Sequence, residues 1–252
     1  MADSKQKSLF DDLPVTTAHQ ARVQMYQATK KPKHITETFE TQWGTVKVHG
    51  KIGQMHAGLM EALFTCAENA RHFDSGQIQL LVDPHKLRTM TYGGKAGSYQ
   101  GLWDLLTDLM GVVIDLYVPD RNLRALGHVL SHVEDSPKTR KNPLTGEERP
   151  LWRVTVAEAY VKIMGKDLPM HYDPKPIAQL TTGIAQAVAR HAATHKHAPS
   201  GGWHLDGLIQ AAGGGKTTRQ LQTQRADLKS DLEGLKALGL NIEDGRIKRI
   251  DG

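Results

Sequence analysis

The residues best suited to chemistry are Gly213-Gly214-Gly215-Lys216-Thr217-Thr218-Arg219-Gln220-Leu221-Gln222-Thr223-Gln224-Arg225, a glycine turn running into cationic, hydroxyl and amide side chains. Two kinds of chemistry use such a run. A P-loop wraps nucleotide phosphates with Gly-x-x-x-x-Gly-Lys-Ser/Thr placed after a buried strand. Here the first glycine position holds Gln210, and Trp203 to Ala212 spaces its apolar residues as a helix with no β-branched run, so no strand feeds the loop. The second chemistry is DNA reading by a helix, a tight glycine turn and a second helix, with Thr217 or Thr218 as N-cap. On that second helix Leu221, Leu228, Leu232 and Leu235 form an inward stripe. The opposite face carries Lys216, Arg219, Thr223 and Ser230, flanked by Gln220 and Gln222, which are donors suited to base edges and phosphates in a major groove. A merely solvated helix face is the plainer reading of the same pattern.

Catalytic patterns fail one by one. There is no Gly-x-Ser-x-Gly elbow and no His-Glu-x-x-His pair. Tyr26, Tyr160 and Tyr172 are potential nucleophiles for strand transfer, but no histidine pair flanked by large apolar residues accompanies them, and His128 and His132 fall short of that pattern. His191, His195 and His197 have ligand-like spacing without a cysteine or carboxylate cluster, and histidines near a helix C-terminus are favoured by its dipole. The expectation is a protein that is not an enzyme and holds no metal or cofactor.

The elements that must position the reading helix lie on both sides of it. Leu238 to Ile250 reads as a glycine C-cap, a strand, an Asp244-Gly245 turn and a second strand bearing Arg246, Lys248 and Arg249. Upstream, Ile177, Leu180, Ile184, Val188 and His191 mark one amphipathic helix opened by Asp173-Pro174 and closed near His197. Three helices and a basic terminal hairpin are the parts of a winged helix, the hairpin being the wing. The same order recurs earlier in the chain. Ile35 to Val48 alternates as strands turning near Gly44, and a helix follows with Met55, Leu59, Leu63 and Cys66 on one face. Gly76 to Val82 is a strand ending at the Asp83-Pro84 cap, followed by a short helix through Leu87, the Gly93-Gly94-Lys95 loop and a helix facing inward with Leu102, Leu105, Leu106 and Leu109. Strands are expected at Val112 to Val118, around His128 to Val133, and at Trp152 to Val156. The Pro-containing basic stretch Asp135 to Gly146 is expected to be a flexible excursion in which Lys138, Arg140 and Lys141 could grip phosphates. On the first unit's reading helix Gln100, Asp104 and Asp108 face outward, where phosphates would repel the acids; assembly or backbone contacts suit that unit better.

At 252 residues the chain fits two small domains, and a net charge of +5 favours a polyanionic partner. The single cysteine, Cys66, excludes an internal disulfide framework and points to a reducing compartment. No run of about eighteen apolar residues is present and the N-terminus is polar, so the expected location is the cytoplasm, with no membrane partner. The predicted organisation is an α+β chain of two tandem winged-helix domains, 35–168 and 169–252, behind a flexible arm, 1–34.

The tandem winged helices, the sequence from Tyr172 to Ile250 and an arm bearing Gln6, Ser8, Leu9 and Phe10 together resemble the plasmid replication initiator (Rep) family, in particular its TrfA-like members. That resemblance covers roughly residues 35 to 252 by pattern of elements. It implies that the second winged helix reads direct repeats (iterons) at a plasmid origin and that the first supports dimer contacts and further backbone contacts. Gln6-Lys7-Ser8-Leu9-Phe10 is similar to the sliding-clamp motif Gln-Leu-Ser/Asp-Leu-Phe, with Lys7 in place of the leucine. The implied partners are double-stranded origin DNA, the bacterial sliding clamp, a host initiator, a replicative helicase and a second copy of the chain. A winged-helix transcriptional regulator would use the same DNA surface, and a partition or assembly adaptor would use the same fold to bind protein; the sequence leaves both open.

Overall fold

A computed structural model describes residues 14–17, 25–41, 44–95, 97–141, 146–165, 169–215 and 217–250. The buried apolar side chains fall into two clusters, one drawn from Met25 to Met164 and the other from Ile177 to Ile247.

The chain opens with β1 (Thr16–Thr17), followed by the hairpin β2 (His34–Thr41) and β3 (Gly44–Lys51), whose Thr41 lies opposite Gly44 and His34 opposite Lys51. Next come α1 (Gln54–Cys66), β4 (Ala67–His72), β5 (Ile78–Val82), α2 (Pro84–Thr91) and α3 (Tyr99–Gly111). Asp83 caps α2 by accepting the N–H of His85 at 2.9 Å, and Pro84 occupies the first helical position, where a missing N–H costs nothing. A second hairpin, β6 (Val113–Val118) and β7 (Leu123–His128), precedes the long pair β8 (Leu130–Lys141) and β9 (Glu148–Val156) and the helix α4 (Glu158–Met164).

Two four-stranded antiparallel sheets result, ordered β2-β3-β6-β7 and β4-β5-β9-β8. The second sheet with α1, α2 and α3 is the winged-helix frame: helix, strand, two helices, then a hairpin whose last strand sits in the middle. The β6–β7 hairpin is inserted into that frame and completes the other sheet. The sequence predicts most of these strands but not β7, nor their division between two sheets, which depends on pairings far apart in the chain. It also missed β4, whose Ala-Glu-Asn-Ala-Arg-His lacks strand formers and is held only by the β5 edge.

The C-terminal unit begins after β10 (Pro169–Met170), which pairs with β1. It comprises α5 (Lys175–Gln179), α6 (Gly183–Ala193), β11 (Trp203–His204), α7 (Leu205–Ala211), α8 (Thr218–Ser230), α9 (Leu232–Ala237), β12 (Leu240–Glu243) and β13 (Arg246–Arg249). Its sheet order, β11-β13-β12, repeats the β5-β9-β8 order of the first unit. Asp244 and Gly245 turn the terminal hairpin with φ of 50° and 69°, the left-handed pair a two-residue turn of this type requires.

Three expectations are corrected. The arm is not free through residue 34: Met25 and Tyr26 are buried in the first core, and the Gln27 amide donates to the carbonyls of Lys33 and Ile52. Residues 135–141 are not a loop but the end of β8, carried past a bulge between Asp135 and Thr139; Ser136 is buried there. The two long helices predicted in the C-terminal unit are each broken, one between α5 and α6 and the other between α8 and α9. The two breaks are tied to each other. The buried carboxylate of Asp231, at the α8–α9 break, accepts the N–H and hydroxyl of Thr181 and of Thr182, at the α5–α6 break, all at 2.7–2.8 Å.

The two units are joined by a buried polar network. Arg190 on α6 donates from Nε and Nη2 to the two carboxylate oxygens of Glu61 on α1, at 2.7 and 2.8 Å, and from Nη1 to Gln54 at 2.8 Å. Tyr172 donates its hydroxyl to Glu61 at 2.5 Å, while Tyr26 and Tyr160 share a hydrogen bond at 2.8 Å. Gly58 lets the guanidinium approach α1, and Gly93, at φ 62°, lies so close to Gln179 that a Cβ would fall 2.7 Å from its nitrogen. This junction explains why α1, expected to bury one face, is covered on nearly all of them.

Candidate nucleic-acid interface

The turn before α8 is tightened by Gly214, whose absent Cβ would fall 2.4 Å from the Ile209 side chain, and by Gln224, which accepts the N–H of Gly215 at 2.8 Å. Thr217 caps α8: its hydroxyl accepts the N–H of Gln220, and the Gln220 side-chain oxygen returns to the Thr217 N–H, satisfying two end groups reciprocally. Behind the helix, Arg225 forms a two-pronged ion pair with Asp206 at the start of α7, which holds the Asp206 carboxyl below the usual range. Leu228 and Leu235 are fully buried and Leu221 packs partly against them.

Away from that packing, Thr218, Arg219, Gln222 and Thr223 are exposed. Among the described residues Arg219 has no ion-pair partner, so its guanidinium is available to a phosphate or a guanine edge. Thr223 donates its hydroxyl to the Arg219 carbonyl at 3.2 Å. Gln220 is occupied by the cap, which removes it from base reading in this conformation. Lys216 lies outside the described residues, as do Gln6, Ser8, Leu9 and Phe10.

The wing cations are committed in different degrees. Lys248 donates to Glu243 at 2.8 Å, which draws the glutamate below and the lysine above their ordinary ranges. Arg246 donates to the Gly202 carbonyl at 3.2 Å and sits 3.1 Å from His204. Arg249 turns inward, donating to the carbonyls of Ala192, His195 and Lys196 and so closing the C-terminal end of α6, where a cation also meets the negative end of the helix dipole. Its role is structural rather than that of a free phosphate grip. Lys196 and His197 line a notch with Lys248 beside the wing; the sequence pattern did not single out Lys196, and marked His197 only as a candidate metal ligand.

On the first unit's wing, Lys138 and Lys141 are exposed on β8. Arg140 is paired with Glu68 at 2.8 Å and approaches Asp83 at 4.0 Å, while Arg149 grips Asp83 with two bonds of 2.9 and 3.1 Å. Burial raises the Asp83 carboxyl's pKa, but these cations and the His85 N–H outweigh it and leave it lowered. Arg140 therefore braces the wing against the α2 cap.

The two helices expected to face DNA are equal in length, 13 residues each, and both are capped, α3 by Ser98 and α8 by Thr217. Counted from the caps, Gln100 stands where α8 has Arg219, Trp103 where it has Gln222, and Asp104 where it has Thr223. Trp103 is exposed and packs edge-on against Trp152. Asp108 is less outward than expected: Lys51 donates to it at 2.8 Å and His56 lies 3.3 Å away. Thus α3 carries no cation, and α8 does.

Among the described residues no group of three or more His, Cys, Asp or Glu side chains is placed to hold a metal, and no helix is long and apolar enough to cross a membrane. His191 and His195 lie with ring nitrogens 3.3 Å apart.

No family model and no curated protein sequence matches the chain. In structure it is similar to domains 2 and 3 of RctB, with a TM-score of 0.56 at 12% identity, over 94% of this chain and 100% of that one. The shared property is the fold: α+β, with two winged-helix-like units in tandem.

Proposed function

We propose that this protein initiates DNA replication on a plasmid by binding direct repeats at the origin through its second winged-helix-like unit, and that it acts by binding alone, without catalysing a reaction. The observation that carries the reading is the outward face of α8: Thr218, Arg219, Gln222 and Thr223 exposed on a capped helix whose opposite side is fixed by Leu228 and the Arg225–Asp206 pair. Supporting it, the fold shared with RctB is that of a replication initiator. Phosphate contacts supply affinity that falls with salt, and good bidentate side-chain contacts supply about 1–3 kcal/mol of base discrimination each.

In this reading the first unit contributes backbone or assembly contacts, because the positions that read bases in α8 hold Gln100, Trp103 and Asp104 in α3. The Gln6-Lys7-Ser8-Leu9-Phe10 segment docks the sliding clamp, and the host initiator and helicase are recruited to the assembled origin. Fluorescence anisotropy with a labelled iteron array against a shuffled duplex tests the DNA claim. Preference for the array that disappears in Arg219→Ala supports it, and equal, salt-steep binding to both duplexes overturns sequence reading. Plasmid maintenance in cells then separates an initiator from a transcriptional regulator using the same surface. Leu9→Ala/Phe10→Ala should abolish clamp pull-down while leaving DNA affinity unchanged.

A further inference from the structure

At the end of α5 two lysines from separate parts of the chain meet, Lys30 and Lys95, and Lys31 follows Lys30 in sequence. Lys30 and Lys31 come from the segment before β2, and Lys95 from the turn between α2 and α3. Lys30 donates to the Leu180 carbonyl at 2.7 Å and Lys95 to the Gln179 carbonyl at 2.6 Å, so the two ammonium groups converge on the end of α5. They are close enough that Lys95, after burial, is the next strongest influence lowering the Lys30 pKa. Lys31 is exposed with no ion-pair partner among the described residues, and Lys95 is exposed as well.

The position of this cluster matters more than its charge. Ala28 and Thr29, which lead into Lys30, share an open cleft of about 340 Å³ with Arg219 and Thr223 on the outward face of α8. On the other side Lys95 stands three residues before Ser98, the cap of α3. The cations therefore bridge from the reading face of the second unit to the start of the corresponding helix in the first. The carboxylate that acts on Lys30, that of Asp231, already accepts four bonds from Thr181 and Thr182. Lys30 and Lys95 each retain N–H donors beyond the one bond described, since an ammonium carries three.

We propose that Lys30, Lys31 and Lys95 form a cationic seam that binds the phosphodiester backbone of duplex DNA passing from one unit to the other. The proposal rests on the DNA-binding reading of α8 and adds a contact that this reading does not require. The seam carries no base-edge geometry, so it contributes affinity without sequence preference. Lys30 and Lys95 are held by the fold through their bonds to the Leu180 and Gln179 carbonyls and need little ordering on contact.

The test uses the full chain and a labelled 40-base-pair duplex of mixed sequence, with dissociation constants measured across NaCl concentrations. Each neutralised phosphate contributes about 0.9 to the slope of log K against log salt. Lys30→Gln/Lys31→Gln/Lys95→Gln should flatten that slope by about 2–3 relative to the unsubstituted protein. Lys31→Gln alone, at a side chain without internal bonds, should flatten it by about 1, which keeps the test decisive if the triple variant is unstable. Replacement of the same residues by arginine should restore the slope. Salt-dependent binding by the unsubstituted protein with an unchanged slope in Lys31→Gln and the triple variant overturns the seam and leaves the α8 reading intact. Absence of salt-dependent binding in the unsubstituted protein overturns both.

Discussion

Arg190 and Glu61, 129 positions apart in sequence, form a bidentate ion pair in which both side chains are almost fully buried, and this pair is the centre of the contact between the two units. Removing two charges from water is costly, and the cost is offset here because every prong of the guanidinium and both carboxylate oxygens are hydrogen-bonded, with Gln54 and Tyr172 completing the set. Arg190→Ala or Glu61→Ala alone should destabilise the protein by about 3–5 kcal/mol, because each leaves a buried charge without its partner. Glu61→Leu/Arg190→Met should recover most of that loss. Chemical denaturation of the four proteins checks it, and additive losses in the double variant would show that the pair is not coupled.

Asp231 should behave as the pin of the C-terminal unit. Burial pushes its carboxyl up, yet the four donors of Thr181 and Thr182 outweigh burial and leave its pKa below the ordinary carboxylate value. A carboxyl depressed in the fold contributes stability that is present above its unfolded pKa, near 3.8, and is lost as pH falls through the lower folded value. Asp231→Ala should cost about 2–3 kcal/mol at neutral pH, since it strands donors that bonded a charged acceptor. Acid titration of the melting temperature should show the gap between variant and unsubstituted protein narrowing below pH 3.8.

His56 predicts a second pH effect of its own. Its Nδ1 accepts the Gly53 N–H at 3.1 Å, which places the proton of the neutral ring on Nε2, toward Asp108. Burial lowers its pKa and outweighs the raising influence of Asp108. The unfolded chain therefore binds a proton before the folded one does, and stability should fall as pH drops below 6.5 toward the folded value. His56→Gln should flatten the pH dependence of melting in that window; an identical profile in both proteins would contradict the assignment.

Arg249 and Arg219 should separate stability from recognition. Arg249→Ala uncaps the end of α6 and should cost about 1–3 kcal/mol in unfolding while the salt slope of DNA binding, measured well below the melting temperature, is unchanged. Arg219→Ala should leave melting within about 0.5 kcal/mol and reduce discrimination between the array and a shuffled duplex by about 1–3 kcal/mol. The reverse pattern would move the DNA surface away from α8.

Much of this architecture is legible in the residues because it is encoded locally. The Asp83-Pro84 start, the Thr217 cap and the Asp244-Gly245 turn are short-range signals, and the structure places each where the sequence does. The helix breaks at Thr181–Thr182 and Asp231 are absent from the sequence prediction: it passes over the local signal at the first, the Thr182 cap before Gly183, and the Asp231 contact that ties the two breaks together spans 49 or 50 positions. The same limit applies to the candidate surface. Side-chain type and spacing placed Arg140, Arg249 and Gln220 among the candidate DNA contacts, and only tertiary structure reveals that Glu68, the α6 carbonyls and the Thr217 cap already occupy them.

Under the proposed function, the junction at Glu61 and Arg190 also has a meaning for spacing along DNA. Units clamped to one another cannot turn independently to follow the helical path of a duplex. One inserted base pair rotates the groove by about a tenth of a turn. A rigid pair of modules would therefore act as a ruler, tolerant of changes in base identity at one end and intolerant of any change in phase between the ends.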